Sequence, residues 1–226
     1  MHDATQAVHA PRNRRLTSGI ELLLGAAIVI GHNVYQVVPN EVPILALAGL
    51  ISLRLRDGGW SAMGFRRPES WRRIVLIAVA AAVVRIGVDE LAISPLAERL
   101  WPARETPDEA AEIVSNLPLA LQWLGIVWTF AAFGEEISYR GYLLTRAADV
   151  GERTKAAYWI AVLLVSVLFG IGHYWNGPSG MLSSGFAGLV LGSAYMLAGR
   201  NLWASILAHG LIDTTLLVAV YLGWNT

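Results

Sequence analysis

The chain of 226 residues contains no cysteine. That absence excludes disulfides, thiolate metal sites and a thiol nucleophile, and says little about compartment. Charge is scarce as well. Asp, Glu, Lys and Arg make up 15% of the residues, whereas a soluble domain carries about a quarter. The 17 basic and 17 acidic residues cancel, and there is no basic stripe of the kind nucleic acid needs. No HExxH pair marks a zinc-protease helix. No internal repeat suggests the repeated halves of many transporters. What remains is apolar: 55% of residues are hydrophobic and the mean hydropathy is +0.49. These proportions describe a polytopic membrane protein.

The fold expected is all-α, a polytopic transmembrane helical bundle. A span takes about 20 apolar residues. Candidate spans are 17–38, 42–55, 74–93, 118–145, 156–175, 181–198 and 201–222. The second is short enough to be tilted, paired or re-entrant, and the fourth is long enough to break in two. Seven to eight spans are therefore expected. The leading "MHDATQAVHAPRNRR" is polar and expected to be disordered. Its arginines and the apolar run after them mimic a signal peptide, but no small-x-small cleavage site follows, so the run reads as a retained helix. The chain divides into a polar tail (1–16), N-terminal transmembrane helices with loops (17–117) and a helical core (118–226).

Arginine bias sets the expected orientation. Arg12, Arg14 and Arg15 precede the first span. Arg54, Arg56, Arg66, Arg67, Arg72 and Arg73 follow the second, Arg146, Arg153 and Lys155 the fourth, and Arg200 the sixth. The opposite loops hold Glu41 and the acidic stretch at 97–116. The expected location is a bacterial cell membrane with a cytoplasmic N-terminus. "TPDE" at 106–109 reads as a capping box opening a short external helix. "GFRRPESWRR" at 64–73 reads as a turn into the third span, with Trp71 at the interface and arginines as topology signals or contacts to lipid phosphates.

Ionisable residues at membrane depth are costly and face the bundle interior. "FGEEISYRGYLL" carries Glu135, Glu136 and Arg140, "FGIGH" carries Phe169 and His173, and "AHGLID" carries His209 and Asp213. Four-residue spacing places Glu136 with Arg140, Phe169 with His173, and His209 with Asp213 on shared helix faces. Adjacent glutamates point about 100° apart on an α-helix. Glu136 therefore pairs with Arg140, leaving Glu135 free to face a cavity with the histidines. A desolvated carboxylate beside imidazoles can hold and deprotonate a water, and the histidines can donate hydrogen bonds or ligate a metal. Each group alone also has a plain structural reading: a packing ion pair, an interhelical hydrogen bond, a local bond within one helix.

Taken together, "EEISYR", "FGIGH" and "AHGLID", in this order and spacing, resemble the EExxxR, FxxxH and HxxxN/D motifs of the CAAX protease and bacteriocin-processing (CPBP, or Abi) family. The resemblance covers roughly residues 118–222, with weaker support from "GFRRP" and "NLW". It implies an intramembrane endopeptidase acting on a peptide or membrane-protein substrate, in a bilayer and without nucleic acid. It also implies that Glu135 and His173 activate a water, that His209 and Asp213 stabilise the oxyanion, and that Glu136, Arg140 and Phe169 support the site. Members are read both as metalloproteases and as metal-free enzymes. A divalent ion such as zinc held by Glu135, His173 and His209 stays open beside a metal-free mechanism. Asp213 stands where the family often has Asn. An ionised aspartate donates nothing to an oxyanion, so Asp213 is protonated, or orients His209, or lies beside a metal.

Two rivals remain. "GPSG" at 177–180 would make Ser179 the nucleophile of a rhomboid-like protease with His209 as base, although "YWNGPSG" has the chemistry of a turn. The same polar cavity would also serve a non-catalytic scaffold, immunity or transport protein. Gly185, Gly188 and Gly192 are placed for close helix approach, or for backbone access to substrate. One tension attends all these readings. On straight helices rising about 1.5 Å per residue, His173 stands well above the level of Glu135 and His209, so the fifth span must protrude or tilt.

Overall fold

The computed structural model describes residues 12–101 and 109–224. Positions 106–108 of the expected capping box and the first eleven residues of the polar tail lie outside them. Every regular element described is helical, and no strand occurs among the described residues. The helices are α1 (Arg12–Asn33), α2 (Glu41–Arg56), α3 (Trp71–Val88), α4 (Ser94–Leu100), α5 (Leu117–Ile126), α6 (Leu144–Val150), α7 (Lys155–Ile171), α8 (Gly177–Leu197) and α9 (Leu202–Tyr221). A π turn at Asp89–Ile93 joins α3 to α4, and a longer π-wound segment, Val127–Leu143, joins α5 to α6.

Four helical stretches are long and apolar enough to cross a membrane: 13–33, 117–150, 174–197 and 202–221. The protein is an integral membrane protein. Helices α2, α3 and α7 are shorter or more charged, at 16, 18 and 17 residues. Their outer faces are nonetheless apolar. Val75, Leu76, Val79 and Val83 project from α3, and Ile160, Leu163, Leu164 and Val167 from α7, all exposed.

The fourth span does not break. Residues 117–150 form one helix of 34 residues. No proline falls inside it after Pro118, which sits in the first turn where its missing N–H costs nothing. The middle of the helix rewinds instead, with the N–H of Leu144 reaching back five residues to Tyr139 O. Such winding is rare and is frequent at functional sites.

The arginine-rich loops gather at one end, largely as structural anchors. Arg146, fully buried, donates to Glu21 (3.0 Å), Asp57 (2.9 Å), Asp149 (2.8 Å) and Ser52 (2.8 Å). Arg14 pairs with Asp57, Arg56 with Glu21, and Arg153 with both Asp57 and Asp149. Burial pulls the Arg153 guanidinium down, but hydrogen bonding and the charges of Asp149 and Asp57 outweigh it and hold the group above its usual range. The cluster ties α1 and α2 to the α6–α7 turn, where Glu152 and Arg153 adopt left-handed φ of 60° and 55°.

A second anchor joins residues 64–73 to the α8–α9 turn. Gly64, at φ +89°, lies so close to the chain that a Cβ there would stand 2.1 Å from Arg200 O. The Leu202 N–H donates to Gly64 O at 3.0 Å. Arg73 and Arg66 donate to Leu197 O (2.9 Å) and Gly199 O (3.0 Å), satisfying carbonyls at the end of α8. Both arginines are thus engaged by backbone carbonyls. Trp71 packs on Trp203, ring centroids 5.7 Å apart.

The depth tension resolves at two points. Arg200 donates to the Tyr158 hydroxyl at 2.7 Å, so the α8–α9 turn is level with Tyr158 and α7 runs a turn past it. Helix α7 also stops at Ile171, and His173 folds back, its ring 5.0 Å from that of Phe169.

Candidate active site

The π-wound segment, α7 and α9 converge on a cavity of about 200 Å³. Glu135, Phe169, His173, His209 and Asp213 all line it. The structure thus brings these five sequence-derived candidates to one place. Glu136 and Arg140 stand behind the wall, 0% and 1% exposed.

Glu136 is consumed by structure. Its Oε1 accepts from Arg140 Nη1 at 2.7 Å and lies 2.8 Å from His209 Nδ1. Arg140 then covers the Phe169 ring, its guanidinium carbon 4.4 Å from the centroid, and Nη2 donates to Gly188 O at 3.3 Å. One arginine therefore joins the π-wound segment, α7 and α8. Gly188 permits this approach, since a Cβ there would stand 3.0 Å from Ser166 Cα. The glycine row of α8 serves packing.

Glu135 is the opposite case. Its side chain lines the cavity, and its buried Oε2, like the second oxygen of Glu136, has no hydrogen-bond partner among the described residues.

The two histidines differ. His173 Nδ1 lies 2.9 Å from Phe169 O. A carbonyl only accepts, so Nδ1 carries the proton and Nε2 keeps a free lone pair. His209 has a carboxylate at each nitrogen: Glu136 at Nδ1, and Asp213 Oδ2 3.4 Å from Nε2. Asp213 is thus placed to orient His209.

A metal fits this arrangement poorly. Among the described residues no group of three or more His, Asp or Glu side chains is arranged to hold an ion, and both nitrogens of His209 already face carboxylates. Ser179 lies in the first turn of α8 and does not line the cavity. The segment 174–180 is a short 3₁₀ turn running into that helix.

Two polar groups escaped the sequence reading. Glu41, taken as an acid of an outer loop, is 6% exposed. It accepts from Asn33 (2.9 Å) and from the Tyr139 hydroxyl (3.4 Å). Arg85 and Asp89 form a 2.9 Å ion pair near the end of α3, and Arg85 lines the cavity. Their four-residue spacing inside the apolar "VVRIGVDELAI" was the available signal.

In a comparison with protein families, residues 117–215 match the family described as type II CAAX prenyl endopeptidase, Rce1-like. The matched segment contains all three motifs, and its family is the one those motifs pointed to. No curated protein and no solved structure shows a significant similarity to the chain.

Proposed function

We propose that the protein is an intramembrane endopeptidase of the CAAX-protease type, in which Glu135 is the general base. The observation that carries this reading is the contrast between adjacent carboxylates. Glu136 stands behind the wall with one oxygen tied to both Arg140 and His209, while Glu135 makes no such pair and lines the cavity shared with His173.

A water held between Glu135 and Nε2 of His173 loses a proton to Glu135 as its oxygen attacks the scissile carbonyl carbon. Nε2–H of His209, steadied by Asp213, donates to the oxyanion that forms. With a proton on each nitrogen, His209 holds Glu136 through Nδ1–H, and its Nε2–H shifts from Asp213 to the oxyanion as charge develops. Collapse of the tetrahedral intermediate breaks the C–N bond. The proton on Glu135 passes to the leaving nitrogen, so acid and amine are formed and the carboxylate is regenerated. No step requires a metal.

The apolar outer faces of α2, α3 and α7 support a bundle in which seven helices are lipid-embedded, with the arginine-anchored end in the cytoplasm. The test is cleavage of a fluorescent prenylated peptide ending in cysteine, two aliphatic residues and a final residue, by purified protein in lipid nanodiscs. Wild type should release the C-terminal fragment and Glu135→Gln should not, at unchanged thermal stability. Equal product from both proteins would overturn the assignment. Peptide binding without cleavage by wild type would favour a non-catalytic scaffold.

A further inference from the structure

Arg85 is a cation at membrane depth, some 14 residues into α3 and only 8% exposed. Such a group persists when it is paired or when it serves a ligand. Its pairing is incomplete. Nη1 lies 2.9 Å from Asp89 Oδ1, and Nη2 donates to Ser183 Oγ at 2.7 Å. Asp89 is itself shared, accepting from Ser183 at 2.8 Å and from Ser94 at 3.0 Å. The third guanidinium nitrogen, Nε, is buried and its N–H has no hydrogen-bond partner among the described residues.

The position matters as much as the missing partner. Arg85 lines the same cavity as Glu135, His173, His209 and Asp213. Arg140 is turned away, onto Glu136, Phe169 and Gly188. The wall therefore carries acids and imidazoles around the water site and a guanidinium on α3. An anionic ligand group is repelled by Glu135 and Asp213 and drawn to Arg85.

We propose that Arg85 anchors the free C-terminal carboxylate of the peptide substrate. This rests on the peptidase reading above, because a chain end is the anion a peptide always offers when it is cut near its C-terminus. A small rotation of the guanidinium brings Nε–H to the incoming carboxylate while Asp89 and Ser183 hold the other two nitrogens. The fork then fixes how far the scissile carbonyl lies from the chain end. Arg85 is in this sense a specificity-determining residue: it selects substrates cut a short, set distance from a free terminus.

Binding separates this proposal from the cleavage chemistry. The prenylated peptide is prepared with a free carboxylate and as the C-terminal amide, and the affinity of each is measured for protein carrying Glu135→Gln. The acid should bind about tenfold or more tightly than the amide, as expected for a charge-assisted contact. Adding Arg85→Gln should abolish the preference by weakening the acid alone, and Arg85→Lys should keep part of it. Asp89→Asn breaks the same ion pair while keeping the cation, and should leave the preference intact or enlarge it. Equal binding of acid and amide by the parent protein, or loss of preference in Asp89→Asn as large as in Arg85→Gln, would overturn the proposal. Selective acid binding without cleavage by wild type would leave the anchor standing and remove the peptidase reading.

Discussion

Glu136 Oε1 and His209 Nδ1 lie 2.8 Å apart, although 73 positions separate the two residues in the chain. The same oxygen accepts from Arg140. One carboxylate thus fixes the α9 histidine against the π-wound segment, and the neighbouring carboxylate, Glu135, lines the cavity.

Adjacent glutamates should therefore fail in different ways. Glu136→Ala strands Arg140 in a buried setting, and removal of one partner of a buried pair costs about 3–5 kcal/mol. Thermal unfolding in detergent should shift sharply downward and activity should vanish with it. Glu135→Gln removes a charge that has no partner, so the midpoint should hold or rise while turnover falls below detection. A Glu136 variant that is stable and inactive, beside an unstable Glu135 variant, would reverse the two roles.

Asp213→Asn tests what the aspartate does. The amide oxygen can still face Nε2 of His209, and the amide can also donate to an oxyanion. Activity should stay within about tenfold of wild type, whereas Asp213→Leu, which frees His209 from its partner, should lose about 10–100-fold, the usual effect of deleting an orienting group. The measurement is kcat on the prenylated peptide. A dead Asn variant would mean that the negative charge itself is required.

Metal removal follows from the same geometry. With carboxylates at both nitrogens of His209 and no three-ligand cluster among the described residues, elemental analysis of protein purified without chelator should find well under one ion per chain. Activity should survive dialysis against EDTA. One zinc per chain that is lost together with activity in Glu135→Ala and His173→Ala would establish a metal site and replace the mechanism given above.

Four of the apolar spans and the three motif groups were legible because both leave local marks: apolar runs near membrane thickness, and charges four residues apart. His209 and Asp213 reach the cavity together because their spacing orients one face of α9, whereas His173 reaches it from beyond the end of α7 and not from the helix face of Phe169 that the spacing suggested. Contacts that depend on long-range folding left no such mark. Arg14, Arg146 and Arg153 serve a sequence reading equally well as orientation signals, yet they close a network with Glu21, Asp57 and Asp149. Glu41 looked like loop acid because its partners Asn33 and Tyr139 come from two other helices. The unbroken, rewound fourth span was hidden for another reason. The expected break rested on length alone, whereas the middle of the helix is held by close packing, with a Cβ at Gly134 falling 2.7 Å from Val42 Cγ1 and one at Gly141 2.8 Å from Met63 Sδ.

Arg146 offers a stability test remote from the chemistry. It is fully buried and is shared by Glu21, Asp57 and Asp149, at the end of the bundle away from the cavity. Arg146→Gln leaves those three carboxylates with Arg14, Arg56 and Arg153 only, and a glutamine reaches one of them at best. The expected loss is about 3 kcal/mol or more, by the cost of breaking a buried network. It should appear as a lower unfolding midpoint and a smaller yield of monodisperse protein. Cleavage per folded molecule should stay near wild type at low temperature, because the cavity end of the bundle is held by contacts of its own, Glu136 with Arg140 and His209, and His173 with Phe169 O. If kcat instead fell with the midpoint unchanged, the charged end of the bundle would be coupled to the cavity, and α6 would be the element that carries the coupling.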